Sequence, residues 1–289
     1  MSAPGSAGLA LSAAAAWGAG DFTGGVASRR AHVFSVLVAA HASGIVLLSA
    51  LALLVSEPAP ARGALGWAAL AGIAGAVGLT ALWRAFAVGK MGIAAPVAAV
   101  LTAVLPVLVG IASAGLPRPR QLAGFACAAA GIWLVARSGG GPAGGAGVAG
   151  QRRFPRELPF AILSGAGFSA YLVLTQRAGT GTVLWPLAAA RCSSMLCGLL
   201  GCLAARASLL PRDRRSLAIA LLSGLLDSSG NALFVLATHA GRLDVASVLA
   251  SLYPVSTVVL ARLLLGERFS RTQLAGMVAT LAAIPLIAG

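Results

Sequence analysis

A carboxylate at Asp227 sits near the middle of an apolar stretch, Leu217 to Ala237, that is long enough to cross a lipid bilayer. On insertion scales a charge at that depth costs about 2.5–3.5 kcal/mol, so the acid needs a partner, a proton or a water-filled cavity. Ser228, Ser229 and Asn231 stand beside it, with Asn231 one turn on and on the same face. Such a patch can bind a substrate amine or hold a proton. A neutral acid hydrogen-bonded between helices would meet the same energetic demand. Asp21 repeats the situation in the first apolar stretch, within WGAGDFTGG, where Gly20 and Gly24 have the spacing of close helix packing. Arg191 lies seven residues inside another stretch. It can snorkel to the nearer interface, pair with an intramembrane Asp or bind an anionic substrate group. His41 titrates near neutrality if wet and is otherwise a hydrogen-bonded packing residue. Trp17 and Tyr253 could wall a site for a cation or ring, or serve packing or the lipid interface. Pro106 and Pro254 fall about midway along predicted helices, where a missing N–H opens the backbone as a packing kink or as a hinge lining a site.

The chain that must position these groups is 289 residues long, 58% hydrophobic and 10% charged, with a mean hydropathy of +0.92. That composition describes a polytopic helical membrane protein. Its formal net charge of +14 comes mostly from Arg residues between or at the ends of apolar runs. The basic excess therefore reads as membrane-topology charge, and a nucleic-acid partner is not expected. Cys127, Cys192, Cys197 and Cys202 contain no C-x-x-C pair, and a five-residue spacing turns about 140° on a helix, so they read as small packing residues. Residues 1–8 carry no basic group and lead into an apolar run longer than a signal-peptide core, so no cleaved signal is expected.

A hydrocarbon core about 30 Å thick takes about 20 apolar residues as a helix. Turn-forming and basic clusters divide the chain into ten such segments: 9–28, 32–55, 65–88, 92–114, 120–137, 158–177, 184–206, 216–239, 242–265 and 271–288. The longest break is a Gly/Pro-rich linker, 138–157, which separates a first unit, 1–137, from a second, 158–289.

The two units are related in sequence. A shift of 152 lays Leu65, Ala68, Leu70, Gly72, Gly78, Ala85 and Gly89 on identical residues, and QLAG at 121–124 on QLAG at 273–276. In the fourth helix the register slips to 148, where VAAVLTAVLP matches VASVLASLYP at five of ten positions. With five helices per unit, successive repeats enter from opposite sides, which predicts an inverted-topology repeat, a recurrent plan of secondary transporters. Odd-numbered loops carry thirteen Arg or Lys residues and even-numbered loops five, which predicts a cytoplasmic linker and both termini outside.

The run from Asp244 to Gly276, DVASVLASLYPVSTVVLARLLLGERFSRTQLAG, resembles the end of an EamA-type domain of the drug/metabolite transporter superfamily. The likeness is carried by Pro254 within a helix, the helix-ending pair Gly266-Glu267, and Gln273 with Gly276 on the next helix. The first unit keeps Gln121 and Gly124 but has no Gly-Glu pair, Gly115 or Leu116 standing near where the acid would be. The resemblance implies a transporter of small organic solutes, with helices 1–4 and 6–9 around a central cavity and helices 5 and 10 peripheral.

These readings converge on a secondary transporter in the cell membrane. It would move a small organic metabolite or drug by alternating access, with proton coupling through Asp227 or Asp21 as one option. The contact set would comprise Asp227, Asp21, Asn231, Arg191, Tyr253 and Trp17, with Pro106 and Pro254 as kinks or hinges, and no cofactor or metal. A passive channel is the alternative. An enzyme would need a nucleophile–base or metal constellation, and the sequence offers no H-E-x-x-H, G-x-S-x-G or His/Cys cluster.

Overall fold

The computed structural model describes residues 3–102, 119–137, 155–178, 182–240 and 253–288. Among them are ten α-helices and no strand. In chain order they are α1 (Ala3–Ser28), α2 (Val33–Leu54), α3 (Arg62–Val88), α4 (Met91–Thr102), α5 (Pro119–Arg137), α6 (Leu158–Ala178), α7 (Leu184–Ala204), α8 (Arg214–Ala240), α9 (Tyr253–Leu265) and α10 (Arg271–Ala288). Five of these, α2, α3, α6, α7 and α8, are long and apolar enough to cross a membrane. Pro106, Gly115, Leu116 and positions 138–154 of the predicted linker lie outside the described residues, as do 103–114 and 242–252 of the predicted fourth and ninth helices. The first helix begins at Ala3 rather than at residue 9. Pro4 falls in its first turn, where a missing N–H leaves no bond unmade, and the Ser6 hydroxyl donates to the Ala237 carbonyl at 2.9 Å.

The distribution of side chains is that of a protein in lipid. Leu53, Leu54, Leu203, Leu263 and Leu264 are all at least 67% exposed, while Asp21, His41, Ser223, Ser228 and Thr257 are buried. In water that arrangement would be unfavourable on both counts. In a bilayer the apolar exterior is solvated and the polar groups find one another inside. Pro96 interrupts the bonding ladder within α4, a position the sequence reading passed over, and the surrounding residues 91–100 are all buried.

The helices pair in a pattern that repeats when each is exchanged with the one five places on. α1 packs on α8 as α6 packs on α3; α2 meets α8 as α7 meets α3; α1 meets α9 as α6 meets α4. α2–α7, α4–α9 and α5–α10 each pair a helix with its own counterpart. The correspondence reaches individual atoms. The Ser43 hydroxyl is shared between the Ala40 carbonyl at 2.9 Å and the Leu221 carbonyl at 2.8 Å. The Ser193 hydroxyl is shared between Ala190 at 3.0 Å and Ala69 at 2.9 Å. Beside these crossings a β-carbon on Gly224 would strike the Ala40 carbonyl oxygen, and one on Gly72 the Ala190 carbonyl oxygen. Only glycine lets the two backbones approach so closely.

Carboxylates outside the apolar stretches hold helix ends across the fold. Glu57, following α2, accepts the backbone N–H groups of Val183 at 2.9 Å, Leu184 at 3.1 Å and Trp185 at 2.9 Å at the start of α7. Glu267, following α9, accepts those of Met91 at 3.1 Å and Gly92 at 3.3 Å at the start of α4. Each places negative charge where the helix dipole and unpaired donors favour it. Arg29 joins the second of these, its guanidinium 3.4 Å from Glu267 and 2.9 Å from the Phe86 carbonyl. Gly266, with φ of +65°, provides the left-handed turn that ends α9 and presents Glu267.

Candidate functional site

Where α2, α3, α7 and α8 converge, the side chains of His41, Arg191 and Asp227 share one recess with Ala40, Leu79, Trp83, Ser223 and Gly224. Arg191 Nη2 is ion-paired with Asp227 Oδ2. Its other terminal nitrogen, Nη1, lies 3.3 Å from His41 Nε2, and His41 Nδ1 lies 3.0 Å from the Leu37 carbonyl oxygen one turn back on α2. The side chains of Arg191 and Asp227 are 13% and 22% exposed. Arg191 therefore pairs with the intramembrane acid and does not run to the interface. The guanidinium neutralises the carboxylate where solvent would otherwise be needed.

The offset matches in the sequence relate the positions of these groups. Ala40 corresponds to Ala190 and Ser43 to Ser193, both 150 positions on, so His41 and Arg191 occupy equivalent positions on α2 and α7. Asp227 corresponds to Gly75 at an offset of 152, and there the ring of Tyr171 from α6 lies 3.1 Å from where a β-carbon would stand. Tyr171 is within electrostatic reach of both Arg191 and Asp227. The first unit thus contributes space where the second contributes charge.

A second group adjoins the first. Gly20 of α1 seats against α8, where an added β-carbon would come 3.1 Å from the Asp227 nitrogen and 3.2 Å from the Ser223 carbonyl. The Ser223 hydroxyl donates back to the Gly20 carbonyl at 2.7 Å. Asp21, only 7% exposed, lies next to this contact and within electrostatic reach of Asp227 and of Tyr253 on α9. Trp17, one turn back, packs against Phe234 with ring centroids 5.6 Å apart and edge-on to Tyr253 at 6.5 Å. Its indole covers Gly230, where a β-carbon would fall 2.7 Å from Nε1. α9 is fastened alongside by the Thr257 hydroxyl on the Gly18 carbonyl at 3.0 Å and the Ser256 hydroxyl on Ala14 at 3.1 Å.

Six residues singled out in the sequence therefore fall into two adjoining groups, Arg191 with Asp227 and Asn231, and Asp21 with Trp17 and Tyr253. Asn231 differs from expectation in detail. Its amide donates to the Asp227 carbonyl of its own helix at 3.0 Å, so it bonds the backbone and not the carboxylate. Pro254 is buried beside Tyr253. His41 is buried and hydrogen-bonded, as one of its two sequence readings has it, and it joins the Arg191–Asp227 group; Tyr171, Trp83 and the capping role of Glu267 had no signal in the sequence analysis. A register of 150 across the second and seventh helices would have aligned His41 with Arg191. Among the described residues no group of three or more His, Cys, Asp and Glu side chains is arranged to hold a metal.

Residues 156–289, which include α6 to α10, match the model of the EamA-like transporter family. That family belongs to the drug/metabolite transporter superfamily, and the resemblance carried by Asp244 to Gly276 is borne out by the match. No curated protein matches the chain.

Proposed function

We propose, from the EamA-type character of residues 156–289 and the partly buried ion pair at the helix crossing, that the protein is a secondary transporter. It carries a small ionised organic metabolite or drug across the cell membrane. The chain forms ten spans as two inverted five-helix repeats, a reading supported by the twofold-exchangeable pairing of the helices and by the matched contacts at Ser43 and Ser193. Alternating access follows from rocking one repeat against the other about the central crossing. The observation that carries the proposal is the Arg191–Asp227 pair: a carrier for a charged solute needs buried opposite charges that can be shared out between protein and substrate. A substrate amine would take Asp227, a substrate carboxylate or phosphate would take Arg191, and Trp17 and Tyr253 would flank the path. The coupling ion is a proton, which neutralises the site when the pair is open.

Reconstituted vesicles assayed with a panel of amino acids, organic cations and sugar phosphates, with and without a pH gradient, test this. Uptake of at least one compound should saturate, show counterflow of unlabelled substrate and respond to the gradient. Asp227→Asn should abolish it at equal protein content. Flux without saturation or counterflow would mark a passive channel, and undiminished transport by Asp227→Asn would move the functional centre elsewhere.

The thirteen-to-five bias of basic residues puts both termini outside. A reporter active only in the cytoplasm should give no signal when fused at Gly289. A strong signal would reverse the orientation.

A further inference from the structure

His41 makes two hydrogen bonds, and both of its partners are one-directional. The Leu37 carbonyl oxygen, 3.0 Å from Nδ1, can only accept, so Nδ1 carries the proton. The Arg191 guanidinium, 3.3 Å from Nε2, can only donate, so Nε2 presents its lone pair. The imidazole is thereby fixed as the neutral Nδ1–H tautomer for as long as Arg191 stays where it is. Arg191 is in turn held by Asp227. Among the described residues, the charged groups that share the recess with His41 are these two, from α7 and α8. Asp21 on α1 and Tyr171 on α6 lie within electrostatic reach of Asp227, and α3 contributes Leu79 and Trp83, whose buried indole N–H has no hydrogen-bond partner, its Arg84 being exposed.

We propose that His41 is the proton site of this carrier and that Arg191 is its switch. The inference rests on the transporter reading above. When an anionic substrate group draws the guanidinium away, two things happen together: Nε2 loses its donor, and Asp227 loses its counter-charge. A proton from the open aqueous side then bonds to Nε2, and the resulting imidazolium replaces Arg191 as the partner of Asp227. The charges balance at each stage. Before binding, Arg191 and Asp227 cancel and His41 is neutral. After binding, Arg191 cancels the substrate anion and protonated His41 cancels Asp227. Return of Arg191 to Asp227 expels the proton and the anion together, so the two travel in the same direction. The positions of His41 and Arg191, equivalent in the two units, make this exchange geometrically natural: each is an approach to Asp227 from α2 or from α7.

The test reads the imidazole directly. The ring nitrogens of the three histidines can be labelled with 15N and His41 identified by its loss in His41→Gln, in the full-length protein in lipid bilayers. Wild-type His41 should be the neutral Nδ1–H form at pH 7. Arg191→Gln should convert it to imidazolium at that pH, moving its titration midpoint from below 7 to above it, a rise of about two units and a hundredfold change in proton affinity if the ring passes from nine-tenths neutral to nine-tenths charged. Arg191→Gln with Asp227→Asn should return it to neutral, because the charge that calls for the proton is gone. An Nε2–H or charged His41 in the wild type, or a His41 that stays neutral in Arg191→Gln, overturns the proposal, the latter by assigning the proton to Asp227. Should Arg191→Gln fail to accumulate, Arg191→Lys serves instead. Its ammonium, held by Asp227, leaves Nε2 without a donor, so the midpoint should rise by a smaller step, and an unchanged midpoint is equally contrary. Vesicle uptake with the wrong imidazole pattern sinks this inference alone; the expected pattern without uptake of any compound sinks the transporter reading.

Discussion

Arg191→Leu, made alone, should be the most destabilising single change at the centre of the protein, and Arg191→Leu combined with Asp227→Leu should recover most of the loss. Removing one member of a buried pair leaves the other charge without compensation, at a cost of about 3–5 kcal/mol. The side chains here retain 13% and 22% exposure, and a proton taken up by His41 would restore part of the counter-charge in Arg191→Leu, which puts the expected figure at or below the lower end, about 3 kcal/mol. Removing both charges leaves an apolar crossing in lipid, a change that is often neutral or stabilising. Unfolding in mixed micelles, followed for the wild type, both single variants and the double variant, gives the coupling energy between the two positions. Transport should be absent from all three variants. A double variant no more stable than Arg191→Leu would mean that the pair contributes through its shape and not its charge.

Gly224→Leu should be the next most severe, for a different reason. Its β-carbon would meet the Ala40 carbonyl oxygen and the Ser43 hydroxyl, so α2 and α8 would have to separate. Overpacking among side chains costs about 1–3 kcal/mol, and here the obstacle is backbone, which cannot rotate away. Gly72→Leu meets the same obstacle at Ala190 and Ser193 and should behave alike. Gly66→Leu is the control: nothing lies within 4 Å of its β-carbon, so it should insert normally and be neutral or slightly stabilising. The amount of folded protein in the membrane, measured by resistance to proteolysis, separates these cases. Normal accumulation of Gly224→Leu would show that α2 and α8 can separate at this crossing at little cost.

How much of this was legible beforehand differs by residue. Asp227 declared itself because the apolar run around it leaves no cheap environment for a carboxylate. Arg191 reads from the sequence as one partner open to an intramembrane acid, but nothing in the chain says which acid, since Asp21 and Asp227 both lie within apolar stretches. The second and seventh helices are offset by 150, the third and eighth by 152 and part of the fourth and ninth by 148, and these slips hid the equivalence of His41 and Arg191. Asn231 shares a helix face with Asp227, as its spacing requires, yet its amide bonds the carbonyl four residues back. Sequence spacing gives the face of a helix and not the rotamer.

The sequence by itself determined the all-helical, apolar class of the protein and the approximate places of its described helices, because hydropathy, Gly and Pro punctuation and charge act locally along the chain and need no partner to be read. It also marked the acids that had to be sheltered. Which groups shelter them was decided by tertiary structure alone. Glu57 reaches α7, Glu267 reaches α4 and Arg191 reaches Asp227 across helices distant in sequence. Those contacts depend on how closely two backbones can approach at Gly72, Gly224 and Gly20, and that distance is fixed only when the helices cross.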